Sequence, residues 1–495
     1  MAHQVALSKT RLLAFRRCPR KLWLDQYSPE LEEVSDEAQA RFETRRIAGE
    51  YARRIYGLNG AREVSHERGL RAAVRTTSVL IEAGGSEPIF EATFDHGGLT
   101  IQVDILDCAA GGTRIVEVTS SPGVEAHHLH DCAIQAWTLA ALGHRARQVT
   151  VAHINSEFVY RGDGSYEGLF TETDVTEEVE RELDAIPELV AGARSILERL
   201  DEPDIAVGKH CTSPHACPFL GHCAPPQAEY PVTILGGRED KLFEWLHAGY
   251  RDLRDVPEEL LLDDTQRRMQ WQTRTGQPYV GDELREFVAA LGYPRHCLGF
   301  ETISFAAPIW EDTGPYEALP FQWSCHTDGG SLDESSGGLA HAGFVDLSGG
   351  PPMRECAETL IDALGGRGPI VVYSPREQAV IDGLISRYTD LEAPLAAIRD
   401  RVLVLLPVLK RHYYDPAMRG SWSIETVAPT VAADLSCETL GDARDSHTAR
   451  SAYLEAIKPE TSAERRRSLR KDLLARCRYG SLALAGILKF FGKPA

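Results

Sequence analysis

The sequence is poor in the features that attach a chain to a membrane or export it. No stretch approaches the apolar length of a membrane span, and the start, MAHQVALSKTRLLAFRR, has no apolar core of signal-peptide length. A soluble cytoplasmic protein with no membrane partner is the expectation. Positive charge is also short: 53 Lys and Arg stand against 73 Asp and Glu, a net charge of -20. That balance argues against a general electrostatic grip on nucleic acid and leaves room for a local basic groove. There is no P-loop, Rossmann glycine fingerprint or nucleophile elbow, and AGGT and LGGR read as turns. Internal repeats and low-complexity tracts are missing as well.

What is present is ordinary globular composition, 43% hydrophobic and 25% charged, over 495 residues, enough for two or three domains. The 11 cysteines are an odd number. Without a secretory signal, clustered thiols read as metal ligands rather than disulfides. Cys211, Cys217 and Cys223 are clustered in GKHCTSPHACPFLGHCAPP. Pro214, Pro218, Pro225 and Pro226 break regular structure there, so the segment is a tight loop that can gather thiols. Cys18, in LSKTRLLAFRRCPRKLWL, is the fourth candidate. If it closes the set, the loop ties the start of a domain to its end. Cys108, Cys132, Cys297, Cys325, Cys356, Cys437 and Cys477 are scattered and read as small buried hydrophobes.

Residues 7–56 read as helices, with a Ser N-cap and an apolar stripe at Leu12, Leu13, Phe15, Leu22 and Trp23. Arg11, Arg16, Arg17, Arg20 and Lys21 form either a phosphate-facing surface or, as basic runs more often do, a solvated helix face. PIFEATFDHGGLTIQVDILDCAAGGTRIVEVTSS alternates as a three-stranded meander. DCAIQAWTLAALG follows as a helix that HHLH begins, then RQVTVAHIN as a strand, then TEEVERELDAIPELVAGARSILERL as a strongly amphipathic helix. This order implies an α/β layer. APPQAEYPV is a linker, and residues 233–292 read as helical, including VPEELLLDDTQRRMQWQ. In the second half HCLGFETISFAAPIW, PFQWSCHTDGG, HAGFVDLSG and PIVVYS read as strands among helices, and two helices close the chain.

Three carboxylates, Glu91, Asp104 and Glu117, fall at the edges of the meander. Asp104 and Glu117 on adjacent strands offer hard oxygen ligands to one divalent metal. A lysine normally completes a phosphodiester-cleaving site by stabilising the attacking water or the developing charge. Its expected position, two residues after Glu117, is Thr119, which carries no charge. Gln135 on the next helix is placed to orient a phosphate or a water. The competing reading is strand-edge carboxylates that face solvent.

One cysteine before such a core and three after it, with Asp104 and Glu117 between, resembles the iron–sulfur subgroup of RecB-like nucleases, which includes the CRISPR-adaptation exonucleases. The resemblance implies a [4Fe–4S] cluster on Cys18, Cys211, Cys217 and Cys223, with zinc as the competing metal. It further implies Mg²⁺ or Mn²⁺ on Asp104 and Glu117, with Glu91 as an upstream acid. Two departures stand out: Thr119 replaces the motif lysine, and no histidine lies near Gly49 and Glu50 on the early helix.

LGFETISFAAPIW, PYEALPFQWSCH, VVYSPREQAVI, GSWSIETVAP and LLARCRYGSLAL resemble a bacterial family whose C-terminal region is of unknown function. That region is itself similar to DEDD-type exonucleases on a ribonuclease-H-like fold. Such enzymes hold two metals with four acids. Here Glu301 and Glu377 remain, while Gly299, Val404 and Gly480 stand at acid positions and Glu425 replaces a typical lysine. The expectation is therefore α/β throughout: a RecB-like restriction-endonuclease-type fold over 1–226, a helical connector over 233–292, and a catalytically dead DEDD exonuclease-like fold over 293–495. Trp422 and Tyr414 are either base-stacking or, preferably, core residues. The implied function is binding or processing of nucleic acid, DNA first, with any exonuclease or endonuclease activity confined to the first domain. The alternatives are a non-catalytic scaffold and a redox-responsive regulator.

Overall fold

In the computed structural model, which describes residues 6–58, 60–108, 112–224, 228–330, 339–432 and 446–493, the chain forms two compact units. The first begins with a two-residue strand, β1 (Leu7–Ser8), and α1 (Lys9–Arg17). Ser8 caps α1, its hydroxyl accepting from the Arg11 N–H at 3.2 Å. Cys18 is extended, and the helix restarts at Pro19 as α2 (Pro19–Tyr27). Proline has no N–H for a continuing helix but suits a first turn, so the break falls at Cys18. Next come α3 (Asp36–Tyr56), β2 (Arg62–Glu63), α4 (Leu70–Glu82), β3 (Ile89–His96), β4 (Leu99–Asp107) and β5 (Thr113–Val118). They are followed by α5 (Ala126–Ala141), β6 (Ala146–Ile154) and β7 (Phe170–Asp174).

The predicted meander is there: β3, β4 and β5 pair antiparallel. The α5 crossover then makes β6 parallel to β5. The sheet order is β2-β3-β4-β5-β6-β7, with β1 parallel to β4 at Leu99 and Thr100. Successive residues of β5 face opposite sides: Ile115 joins the core with Ile134 and Leu139 of α5, while Val116 packs with Ala52 of α3. The single amphipathic helix expected after β7 is broken into α6 (Thr176–Glu180), a 3-10 turn and α7 (Ile186–Leu197). Pro187, at the start of α7, cannot donate the bond that a through-helix requires. The cysteine loop ends in a one-turn helix, α8 (Leu220–Cys223).

The first unit also takes in Phe305–Tyr316. Ala307 packs with Ile154, Phe158 and Leu169, and the Tyr166 hydroxyl donates to the Pro308 carbonyl at 2.8 Å. The strand expected to run through FAAPIW therefore stops at Ile303, ahead of a proline that no ladder accommodates well.

The second unit starts with α9 (Glu239–His247), α10 (Asp264–Thr275), β8 (Tyr279–Val280) and α11 (Asp282–Ala289). Asp263 starts α10, its side chain accepting from the Gln266 N–H at 2.9 Å, so the helix does not reach back to VPEEL as expected. Then follow β9 (Arg295–Ile303), β10 (Leu319–Asp328), β11 (Leu339–Val345), α12 (Met353–Leu364), β12 (Ile370–Val372) and α13 (Pro375–Arg387). The chain continues with α14 (Glu392–Arg399), β13 (Val402–Val404), α15 (Leu406–His412), β14 (Tyr413–Tyr414), α16 (Ile424–Val431), α17 (Ser446–Ala456) and α18 (Ala463–Phe491). The main sheet is mixed, in the order β11-β10-β9-β12-β13, with β12 parallel to β9 and β13. Trp245, Met269 and Val288 share one core with Tyr414, Ile487 and Phe491. Trp422 packs against Tyr414 and donates its indole N–H to the Tyr413 carbonyl, so both aromatics belong to the core. Both units are mixed α/β, and no helix among the described residues is long and apolar enough to cross a membrane.

Candidate functional site

The register of β3 and β4 pairs Phe90 with Ile105 and Ala92 with Val103, which sets Glu91 across from Asp104. Glu91 takes a left-handed backbone, φ 56°. Such a conformation costs a non-glycine residue about 1–3 kcal/mol and is often found where a side chain is being aimed. The β4–β5 ladder has its last rung at Ile105 and Val116. Just beyond it, the Val118 N–H donates to Asp104 Oδ2 at 2.8 Å.

Glu117, the residue after that rung, is 2% exposed rather than facing solvent. Gln135 Nε2 donates to its Oε2 at 2.6 Å, Arg45 reaches Oε1 at 3.0 Å, and Lys9 Nζ lies 3.5 Å from Oε2. Asp131 joins them, 2.7 Å from Lys9 Nζ and 3.1 Å from Gln135 Nε2. Asp131 and Gln135 are one turn apart on α5 and so share a face. Gln135 Oε1 is buried and has no hydrogen-bond partner.

Burial pushes the Glu117 carboxyl up to about 8, with Asp104 and Asp131 adding to the rise and Lys9 and Arg45 opposing it. Burial alone would lower the Lys9 ammonium, but Glu117, Asp131 and Asp104 together hold it above its ordinary value. Burial and Asp104 raise Glu91 against the pull of Arg53, with which it forms an ion pair. A cleft of about 420 Å³ opens beside these groups, lined by Phe42, Arg45, Arg46, Arg53, Glu91 and Asp104.

Thr119 is engaged elsewhere. His128 Nδ1 accepts from the Glu125 N–H at 3.0 Å, which assigns the ring hydrogen to Nε2, 3.0 Å from the Thr119 hydroxyl. Burial lowers His128 to about 4, so the ring is neutral. Lys9, Arg45 and Asp131 were not among the residues picked out from the sequence. Asp131 had a signal in its helical spacing to Gln135; Lys9 is 108 positions from Glu117 and had none.

The four cysteines gather around one small cavity, with His210 and Phe219 also in its wall. Cys18 links α1 to α2, and Cys223 ends α8. The Cys217 N–H donates to the Cys211 carbonyl at 2.7 Å. Basic residues of the first helices hold this loop: Arg17 Nε donates to the His210 carbonyl at 2.7 Å, and Arg20 pairs with Glu202. Arg16 pairs with Glu182 and Lys21 with Asp25, so this basic stretch is occupied with structural partners. Burial raises Cys211, and Cys18 and Cys217 raise it further. Cys223 is pushed up to about 11 by burial, with Cys217 and Cys211 contributing. Each of these four thiols is free, as are the six scattered cysteines that are described; Cys437 lies outside the described residues.

As the side chains stand, no group of three or more His, Cys, Asp or Glu among the described residues is set to hold a metal ion. At the acidic site, Lys9 and Arg45 engage Glu117 instead.

In the second unit Glu301 on β9 meets Arg476 of α18, with Nε 3.7 Å from Oε1, and Arg476 also reaches Glu425 of α16 at 2.7 Å. Burial raises Glu301 to about 7, with Arg476 opposing and Glu425 and Glu377 adding. Glu377 is the return arm of a capping box, accepting from the Ser374 N–H at 3.0 Å. A Cβ added at Gly299 or Gly480 would meet nothing within 4 Å, so neither glycine is required by packing.

Residues 296–423 match a family described as a domain of unknown function (DUF2779). The match takes in Gly299, Glu301, Glu377 and Val404 and ends before Glu425 and Arg476. No curated protein matches the chain.

Proposed function

We propose that the first unit binds nucleic acid, DNA first, and hydrolyses its phosphodiester bonds with the help of Mg²⁺ or Mn²⁺. In this reading it is a RecB-like nuclease unit, and the second unit is a DEDD exonuclease-like fold that has lost its chemistry. The observation that carries the reading is the buried set of Glu117, Asp131 and Gln135, with half-buried Asp104, beside an arginine-lined cleft. The unpartnered Gln135 Oε1 adds a further oxygen aimed at no protein donor. Hard oxygens of this kind suit Mg²⁺ and Mn²⁺. Asp104, Glu117 and Asp131 would hold the cation, with Glu91 at the cleft wall. A bound cation supplies Lewis-acid stabilisation and a more acidic water.

The chain's own residues do the rest. Arg45 and Arg53 bring positive charge to the cleft and bind the phosphate. Gln135 orients Glu117 and Asp131 through its amide hydrogens. Hydrolysis forms one P–O bond from water and breaks one to a bridging oxygen. One water proton ends on the departing oxygen and the other passes to solvent.

The four thiols would hold a [4Fe–4S] cluster, or zinc in its place: a donor set of sulfur alone suits either. In the second unit Arg476 contributes positive charge between Glu301 and Glu425 where a nuclease would hold metal.

A second reading, a non-catalytic scaffold or a redox-responsive regulator, draws on Lys9 and Arg45, which already balance the buried carboxylates. The deciding experiment follows labelled single-stranded and duplex DNA and RNA with Mg²⁺ or Mn²⁺. Wild type should degrade DNA and Asp104→Asn should not. Equal degradation by both, or none by either, overturns the nuclease reading in favour of the scaffold.

A further inference from the structure

We propose that Lys9 is the ammonium that acts at the carboxylate site, delivered from the first helix rather than from the strand that carries Glu117. The inference rests on the nuclease reading above. The expected place, Thr119, is closed to that role: its hydroxyl faces His128 and accepts from the Ser121 N–H. Sheet topology explains how a residue so distant in sequence fills the need. β5 pairs with β4 only at Ile105, Leu106 and Asp107. β1 pairs with β4 at Leu99 and Thr100. The strand that precedes Lys9 thus lies along β4 beyond the reach of β5, and Lys9 enters where β5 and β4 part. Ser8 then fixes the first turn of α1 through its cap.

The ammonium ends 2.7 Å from Asp131 and 3.5 Å from Glu117, on a side chain 14% exposed. An ammonium has three N–H donors. Two can serve Asp131 and Glu117, which leaves a third for a phosphate oxygen or the attacking water. Arg45 also touches Glu117, but its side chain is 57% exposed and it approaches from the cleft side on α3. Lys9 is the cation anchored on the core side, between Glu117 and α5. There it stabilises the charge that builds on the phosphate as water adds and the bridging bond lengthens.

A plain counter-ion would make the same contacts, so the test separates the two roles. Wild type, Lys9→Met, Lys9→Arg and Glu117→Gln are compared in full-length protein by single-turnover cleavage of labelled DNA. Mn²⁺ binding is followed by calorimetry and folding by thermal melting. The expected result is a loss of about 100-fold or more in Lys9→Met, the scale of removing one preorganised donor, with Mn²⁺ affinity kept or tightened. Lys9→Met cleaving at the wild-type rate while Glu117→Gln is inactive overturns the role of Lys9 and leaves the nuclease reading standing. Loss of Mn²⁺ binding together with cleavage in Lys9→Met also overturns it, by making Lys9 structural. If Lys9→Met does not fold, Lys9→Arg decides. Wild-type rates there mean a counter-ion and overturn the inference, whereas a tenfold or larger loss at unchanged Mn²⁺ affinity supports it. Wild type no more active than Glu117→Gln brings down the nuclease reading and this inference with it.

Discussion

Glu301 and Glu117 are both acids on strands, Glu117 buried and Glu301 half-buried, and both are met by a cation from a distant helix, Arg476 or Lys9. Enclosure has a consequence for stability. A glutamate in an unfolded chain titrates at about 4.3, whereas Glu301 is raised to about 7. Between those values the folded chain holds a proton that the unfolded chain has released. The stability that Glu301 contributes is therefore fully present at acid pH and is lost as pH rises through about 7. Urea unfolding at pH 5 and pH 8 should show wild type losing more stability across this interval than Glu301→Gln. The scale is about 1.4 kcal/mol per unit of raised pKa; identical losses would contradict the proton-holding state. Residue types announced the acids in the sequence, because carboxylates at strand edges are visible as letters. They did not announce the partners. Lys9 meets Glu117 through a sheet pairing that no local pattern encodes, and Arg476 looks like any other residue of an Arg-rich helix.

At the scale of elements, α1 carries Lys9 as its first residue, and Cys18 follows its last as the C-cap. Nine residues at helical rise put the acidic site and the thiol cavity about 13 Å apart along one rod. Anaerobically purified protein should contain iron and acid-labile sulfide, and Cys18→Ser should lose both. Hydrogen exchange should then rise in α1, α2 and the 209–223 loop while α5 stays protected. Zinc without iron would replace the cluster, and unchanged exchange would mean that the thiols hold nothing that braces the helices. The meander, α5 and the closing helix were legible because their periodicities are clean. The breaks at Cys18 and ahead of α7 were not, because apolar spacing continues across them and only Pro19 and Pro187 mark the interruption. The late start of α10 was hidden for a similar reason, since Asp263 is one acid among several.

At the scale of the molecule, the first unit is discontinuous: the chain leaves it at Pro225, builds β9, and returns with Phe305–Tyr316 before β10. In the sequence this segment resembles the end of a strand, because FAAPIW is apolar enough to be one. It supplies Ala307 to a cluster with Ile154 and Phe158, and Thr313, whose carbonyl accepts from the Tyr160 N–H at 3.1 Å. Replacing Phe305–Tyr316 in the full chain with a Gly-Ser linker of equal length should speed proteolysis between β6 and β7 (residues 155–169). Unchanged cleavage there would show that the insert is dispensable.

The same insert sets an order for synthesis. A ribosome that has released Pro225 has not yet supplied everything the first unit needs. Residues 226–304 must emerge first, a wait on the order of ten seconds at ordinary translation rates. During that interval the Ala307 position in the cluster has no occupant, and Phe158 and Leu169 have lost part of their cover. The nascent chain would present that apolar patch to whatever is near the exit tunnel. Completion of the first unit becomes an event timed by the beginning of the second.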